Sequence, residues 1–223
     1  MPPRPKLVGD KDRLIPAALR AKVLAHVADK RGLPAGIAIL LADQAGLRCS
    51  EIVNLRIADC DLDAPPYRLM IHGAKHRAKT HVDEQPIPDD LCRVLRERIA
   101  RLRWGVAPPD DTCLISATRK PWSRQTVYRL VKSVHAACGV PAIYNVHSWR
   151  HGYGTRVYRA TKDLILTQRM LRHRSTKPTE RYVHMADADD RVKGLLGALS
   201  NTPTPAPVAA AVASPATRKR RTS

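Results

Sequence analysis

The chain has 223 residues, with 39 Lys and Arg against 20 Asp and Glu, a formal charge of +19 and an aromatic content of 4%. That length suits one domain with a buried core plus a tail, and a basic excess spread along the whole chain points to a polyanionic partner, nucleic acid first. No apolar run long enough to span a bilayer and no apolar signal core in MPPRPKLVGDKDR are found, so a cytoplasmic protein with no membrane association is expected.

A basic, Pro-containing leader (1–14) precedes PAALRAKVLAHVADK, where Leu19, Val23, Leu24 and Val27 recur at helical spacing. A second helix is predicted from about Pro34 through Ile37, Leu40 and Leu41, with Gly46 placed to end it in a left-handed cap. Ser50 is positioned to cap a short third helix, SEIVNLR, which leaves Arg48 in the tight link between two helices.

YRLMIHGAK and THVDEQPIP read as two strands around a basic tip, HRAK, with Pro86 and Pro88 limiting the second to an edge or ending it early. Pro88 opens a helix bearing Leu91, Val94, Leu95 and Leu102. After the loop VAPPDD, Ser123 caps another with Val127, Leu130, Val131 and Val134 as its stripe. Gly139 to Asn145 is a break, and HSWRHGYGTRVYRA begins a further helix. The fold class is therefore mainly α with a small antiparallel hairpin or sheet.

DRVKGLLGALS carries Val192, Leu195, Leu196 and Leu199 as a short apolar stripe. Residues 201–223, rich in Pro and Ala and ending in Arg218, Lys219, Arg220 and Arg221, are expected to be a disordered basic tail. Cys49, Cys60, Cys92, Cys113 and Cys138 are widely spaced, with no Cys-x-x-Cys, and read as reduced packing residues. Trp104, Trp122 and Trp149 read as packing residues, and His72, His76 and His81 as solvated or phosphate-facing ones.

Three stretches carry a resemblance to a known family. AGLRCSEIVNLRIADCDL has a Gly-Leu-Arg-x-x-Glu turn, VHSWRHGYGTR a His-x-x-Arg box, and MLRHRSTKPTERYVH a histidine followed by a tyrosine. In this order, with a basic hairpin between the first two, they resemble the catalytic domain of the tyrosine recombinases, or phage integrases, across roughly residues 15–200. A lone His-x-x-Arg is a weak signal; the ordered set is a strong one.

The resemblance implies a site-specific DNA recombinase that cleaves and rejoins double-stranded DNA through a 3′-phosphotyrosine, without metal, ATP or any cofactor. It gives Tyr182 as nucleophile, Arg48 and Arg150 as the grip on the nonbridging oxygens, His147 as base, His173 as a phosphate donor and Glu51 as a support for an arginine. A hairpin lysine would protonate the leaving 5′-oxygen, and Lys75 is preferred slightly over Lys79. Arg172 stands where the family has glycine, a change expected to alter the turn without touching a catalytic atom.

The chemistry suits these residue types. Two permanently charged, planar guanidinium groups stabilise charge building on a five-coordinate phosphorus. A phenol, with an ordinary pKa of about 10, needs a proton acceptor and a positive field to attack. The i, i+4 pair His147 and His151 has a spacing that zinc can use, but no third ligand accompanies it.

The resemblance further implies a homo-tetramer on DNA linked by exchange of the C-terminal helix. Only residues 1–47 precede Arg48, so the family's N-terminal core-binding domain is expected to be missing, leaving room for an accessory DNA-bending or core-binding protein. Two rival readings are a non-catalytic DNA-binding regulator on the same fold and a type IB topoisomerase.

Overall fold

Apolar residues at helical spacing bury one stripe each and so dictate where the first helices dock. In α1 (Ala17–Asp29) the buried residues are Val23 and Val27. In α2 (Pro34–Gln44) they are Ile37, Ala38, Ile39, Leu41 and Ala42, so this helix is covered almost all round. The computed structural model describes residues 14–29, 33–72, 82–103 and 109–182, within the first of two units, Met1–Ala188; the second, Asp189–Ser223, holds none of them. The tail and the stripe at 192–199 therefore lie outside the described residues.

The short helix α3 (Cys49–Asn54) follows Gly46, whose φ of 61° is the left-handed turn expected of it. Ser50 does not cap α3. It lies inside the first turn, and the Glu51 carboxylate instead accepts from the Arg48 backbone N–H at 2.7 Å. A 3-10 turn (Ile57–Asp59) leads to β1 (Cys60–Asp61), then β2 (Arg68–His72) and β3 (Val82–Pro86), an antiparallel sheet in the order β1-β2-β3.

The β2–β3 register runs from Arg68 opposite Pro86 to His72 opposite Val82, so Pro86 closes an edge strand. The expected hairpin thus gains a third strand. Two-residue β1 has no periodicity to announce it. The tip, 73–81, with Lys75, His76, Lys79 and His81, is outside the described residues.

α4 (Asp89–Leu102) starts after Pro88 and buries Leu91, Cys92 and Leu95. α5 (Arg124–Ala137) is capped as expected, the Ser123 side chain accepting from Thr126 N–H, and buries Val127, Val131 and His135. α6 (Val146–Thr161) ends where Lys162 turns left-handed, at φ 53°, and α7 (Leu164–Met170), not anticipated from sequence, is capped by Asp163. A last helical turn spans 177–182.

α2 packs against α1, α3, α4, α5 and α6 and forms the centre of the core. Asp43, only 1% exposed, ties three of these helices together. It accepts from Arg20 of α1 at 2.9 and 2.7 Å and from Arg156 of α6 at 2.8 Å. Trp149 packs in this core and donates from Nε1 to His135 Nε2 at 2.9 Å, while Trp122 packs against it. Cys49, Cys92, Cys113 and Cys138 are buried free thiols, as expected of packing residues. Among the described residues, no helix is long and apolar enough to cross a membrane.

Candidate active site

Two backbone turns face each other across the site. One is the α2–α3 link at Gly46–Arg48, and the other is Leu171–Arg172, just past α7. Carbonyls in both turns accept from arginines: Gly46 O from Arg150 Nη1 and, at 3.2 Å, Arg172 Nη2; Leu171 O from Arg150 Nη2 and, at 3.4 Å, Arg48 Nη2; Arg172 O from Arg48 Nη2 at 3.1 Å.

Glu51 sits at the centre, projecting from the first turn of α3. Its carboxylate accepts from Arg48 Nη1 at 2.7 Å and Arg172 Nη2 at 2.8 Å, and lies 3.7 Å from Arg150 Nη1. Burial alone would raise this carboxyl, but Arg172, Arg150 and Arg48 outweigh it and hold Glu51 below the ordinary carboxylate range. Three guanidinium groups against one carboxylate leave local positive charge, which calls for an anion.

The two predicted grip residues differ in exposure. Arg150, in the second turn of α6, has a side chain 2% exposed, whereas that of Arg48 is 36% exposed. Burial and then repulsion from Arg48 depress the Arg150 guanidinium to about 9, which keeps it charged at neutral pH. An anion approaching the site therefore meets a fixed buried cation beside one open to solvent.

α6 also presents the histidines. The Asn145 side chain accepts from His147 N–H at 2.8 Å and so fixes the helix start, leaving His147 exposed and His151 buried one turn later. Their rings meet edge to face with centroids 4.3 Å apart. The Tyr182 hydroxyl lies 3.2 Å from His151 Nδ1. The tyrosine is 2% exposed and packs with Tyr153, Tyr158 and Leu171. It approaches α6 at Gly154, where an added Cβ would stand 2.8 Å from both Tyr182 Cζ and Leu171 Cδ1.

His173 follows Arg172, with Nδ1 2.9 Å from Thr179 Oγ1 and its backbone N–H on Gln168 O. Burial, then repulsion from Arg150 and Arg48, lowers it to about 3. It is therefore neutral at physiological pH, and when Thr179 donates to Nδ1, the other ring nitrogen carries the proton and is free to donate.

Arg48, Glu51, Arg150, His147, His173 and Tyr182 thus gather where α3, α6 and the segment after α7 converge, while Lys75 and Lys79 are outside the described residues. Arg172 corrects an expectation. It keeps the left-handed turn a glycine would take, with φ 53°, but its side chain enters the site and binds Glu51. The sequence marks His151 only as half of a zinc-type pair; its position directly after Arg150 and one turn after His147 is the signal that places it in the site.

A model of the phage integrase family matches residues 18–189. The chain belongs to the phage integrase family. Curated relatives include tyrosine recombinase XerD of Pseudomonas putida, 28% identical over 83% of this chain and 59% of its own, and XerD of Xanthomonas axonopodis pv. citri, 35% identical over 64% and 48%. The chain spans about half the length of the curated relatives it matches.

Among solved structures, the XerH site-specific recombinase in a post-cleavage complex with palindromic difH substrate matches with a TM-score of 0.68 at 19% identity, covering 84% of this chain and 53% of that one. The catalytic domain of bacteriophage HP1 integrase matches with a TM-score of 0.54 at 17% identity, covering 86% of this chain and 98% of that domain. At these identities the likeness establishes the integrase fold: a mostly helical domain with a small antiparallel sheet.

Proposed function

We propose that this integrase-family chain is the catalytic part of a site-specific DNA recombinase, acting on double-stranded DNA in the cytoplasm, with residues 15–200 as its catalytic domain. The observation that carries the reading is the clustering of Arg48, Arg150, His173 and Tyr182 around one positively charged centre. A bare DNA-binding regulator has no use for a buried tyrosine beside two phosphate-type arginines.

In this reading the scissile phosphate sits on the open side of Arg48 and reaches Arg150 behind it, with His173 donating a third hydrogen bond. The Tyr182 oxygen attacks phosphorus, its proton passing to the His147–His151 pair. The P–O5′ bond breaks, leaving a 3′-phosphotyrosine and a 5′-hydroxyl protonated by Lys75 or, second in preference, Lys79. A 5′-hydroxyl from a second strand then reverses the step, so the phosphodiester energy is retained and no cofactor is consumed. Strand exchange is assigned to a homo-tetramer joined through the C-terminal helix, with an accessory DNA-bending or core-binding protein as a further partner.

A nicked suicide substrate tests the chemistry. Wild type should form a denaturant-resistant adduct, and Tyr182→Phe should form none while binding DNA within about threefold, since only the nucleophilic oxygen is lost. An adduct in the Phe variant would overturn the assignment. Rejoining to a different strand, rather than relaxation of a supercoiled circle alone, separates a recombinase from a topoisomerase.

A further inference from the structure

We infer that Arg172 is a positioning residue for the phosphate-gripping arginines, an inference that rests on the recombinase reading. Three features of its setting carry this. Its backbone is left-handed, at φ 53°, a conformation that disfavours an arginine and suits glycine. Its side chain is nonetheless buried, at 3% exposure, in a centre that already holds two other guanidinium groups. Its contacts then reach two of the groups that orient them, the Glu51 carboxylate and the Gly46 carbonyl.

One end nitrogen, Nη2, donates to Glu51 Oε2 at 2.8 Å and Gly46 O at 3.2 Å; the other, Nη1, donates to Gln85 Oε1 and, at 3.3 Å, to Met170 O. Its own carbonyl receives Arg48 Nη2 at 3.1 Å. Gln85 in turn donates to Tyr153 OH of α6 at 3.2 Å. A single side chain thus braces the α2–α3 turn, the Glu51 carboxylate that holds Arg48, and β3, the strand leaving the hairpin.

Burying a third like charge here is unfavourable unless it is compensated. Glu51 compensates in part, and a bound phosphate would complete the compensation. Both end nitrogens of Arg172 are engaged by Glu51, Gly46, Gln85 and Met170, so its effect on Arg48 runs through Glu51. Fixing Glu51 restricts Arg48, the one grip residue with substantial exposure and therefore the one with freedom to lose.

The test is single-turnover cleavage of a nicked substrate at saturating protein, comparing wild type, Arg172→Gly, Glu51→Gln and the double variant. Glycine fits the left-handed turn, so the substitution removes the brace without adding backbone strain. Misplacing a grip residue by about an ångström is enough to slow cleavage about ten- to a hundredfold, while DNA affinity should stay within about threefold. Because both residues act as one brace, Arg172→Gly should add less than about threefold in the Glu51→Gln background. Arg172→Lys, which keeps the charge but loses the fork, should recover only part of the rate.

A substrate with a methylphosphonate at the scissile position, which needs less charge neutralisation, should narrow the gap between wild type and Arg172→Gly, an effect that repacking alone would not produce. A Gly variant that cleaves like wild type, or effects that simply multiply in the double variant, would overturn the proposal. Should Arg172→Gly fail to fold, a Lys variant with the full wild-type rate overturns it just as well. A wild-type protein that cleaves nothing would instead defeat the recombinase reading itself, and this inference with it.

Discussion

Single residues here carry consequences that the sequence motif alone does not show. Gly154 is invisible as a functional position, yet its missing Cβ is what lets Tyr182 lie against α6. Gly154→Ala should destabilise the protein by about 1–3 kcal/mol through overpacking, and should also slow cleavage, because the ring it displaces bears the proposed nucleophile. Matched thermal melts and adduct assays check both effects; an alanine variant with wild-type stability would show that the contact is slack.

His135 offers a pH test at the same scale. It must stay unprotonated at Nε2 to accept from Trp149, and burial holds it at about 4 against an ordinary 6.5. Between those values the unfolded chain takes up a proton that the folded one does not, so stability should fall as pH drops from about 6.5 towards 4. His173, held at about 3, adds to the same loss. In denaturant titrations across this range, His135→Gln should flatten the slope, and an unchanged slope would remove His135 from the account. The motif residues themselves were legible because their chemistry is distinctive. Arg172 was not, since no sequence rule says where the side chain of a left-handed residue points.

Elements were legible where periodicity or capping chemistry was strong and illegible where neither had room. α1, α2, α4 and α5 announce themselves through spaced Leu, Val and Ile, and Ser123 caps α5 as its side chain suggests. β1 has two residues and α7 seven, too few for a period to emerge, and the α3 cap went to Glu51 because a carboxylate at the third helical position outcompetes a serine already inside the turn. The Asp43 clamp was equally hidden, because it joins residues from three helices far apart in sequence. Asp43→Ala should cost about 1–3 kcal/mol in chemical unfolding, below the fully buried range because both arginines keep roughly a third of their surface in water. A loss under about 0.5 kcal/mol would mean that the helices hold together without it.

For the whole molecule, the formal charge of +19 makes phosphate contacts the expected source of affinity, so DNA binding should weaken by orders of magnitude between about 50 and 200 mM salt, and a flat dependence would count against it. Assembly is a separate proposal: truncation after Ala188 should keep DNA binding and lose synapsis, while truncation after Ser200 should keep both, as sedimentation on a two-site DNA would read.

The central claim concerns one bond. Wild-type protein trapped on a nicked substrate and digested with trypsin should yield the peptide 182–191 carrying a 3′-phosphonucleotide on Tyr182, with a free 5′-hydroxyl on the departing strand. Mass spectrometry showing the nucleotide on any other residue, or a 5′-phosphate linkage, would contradict the account.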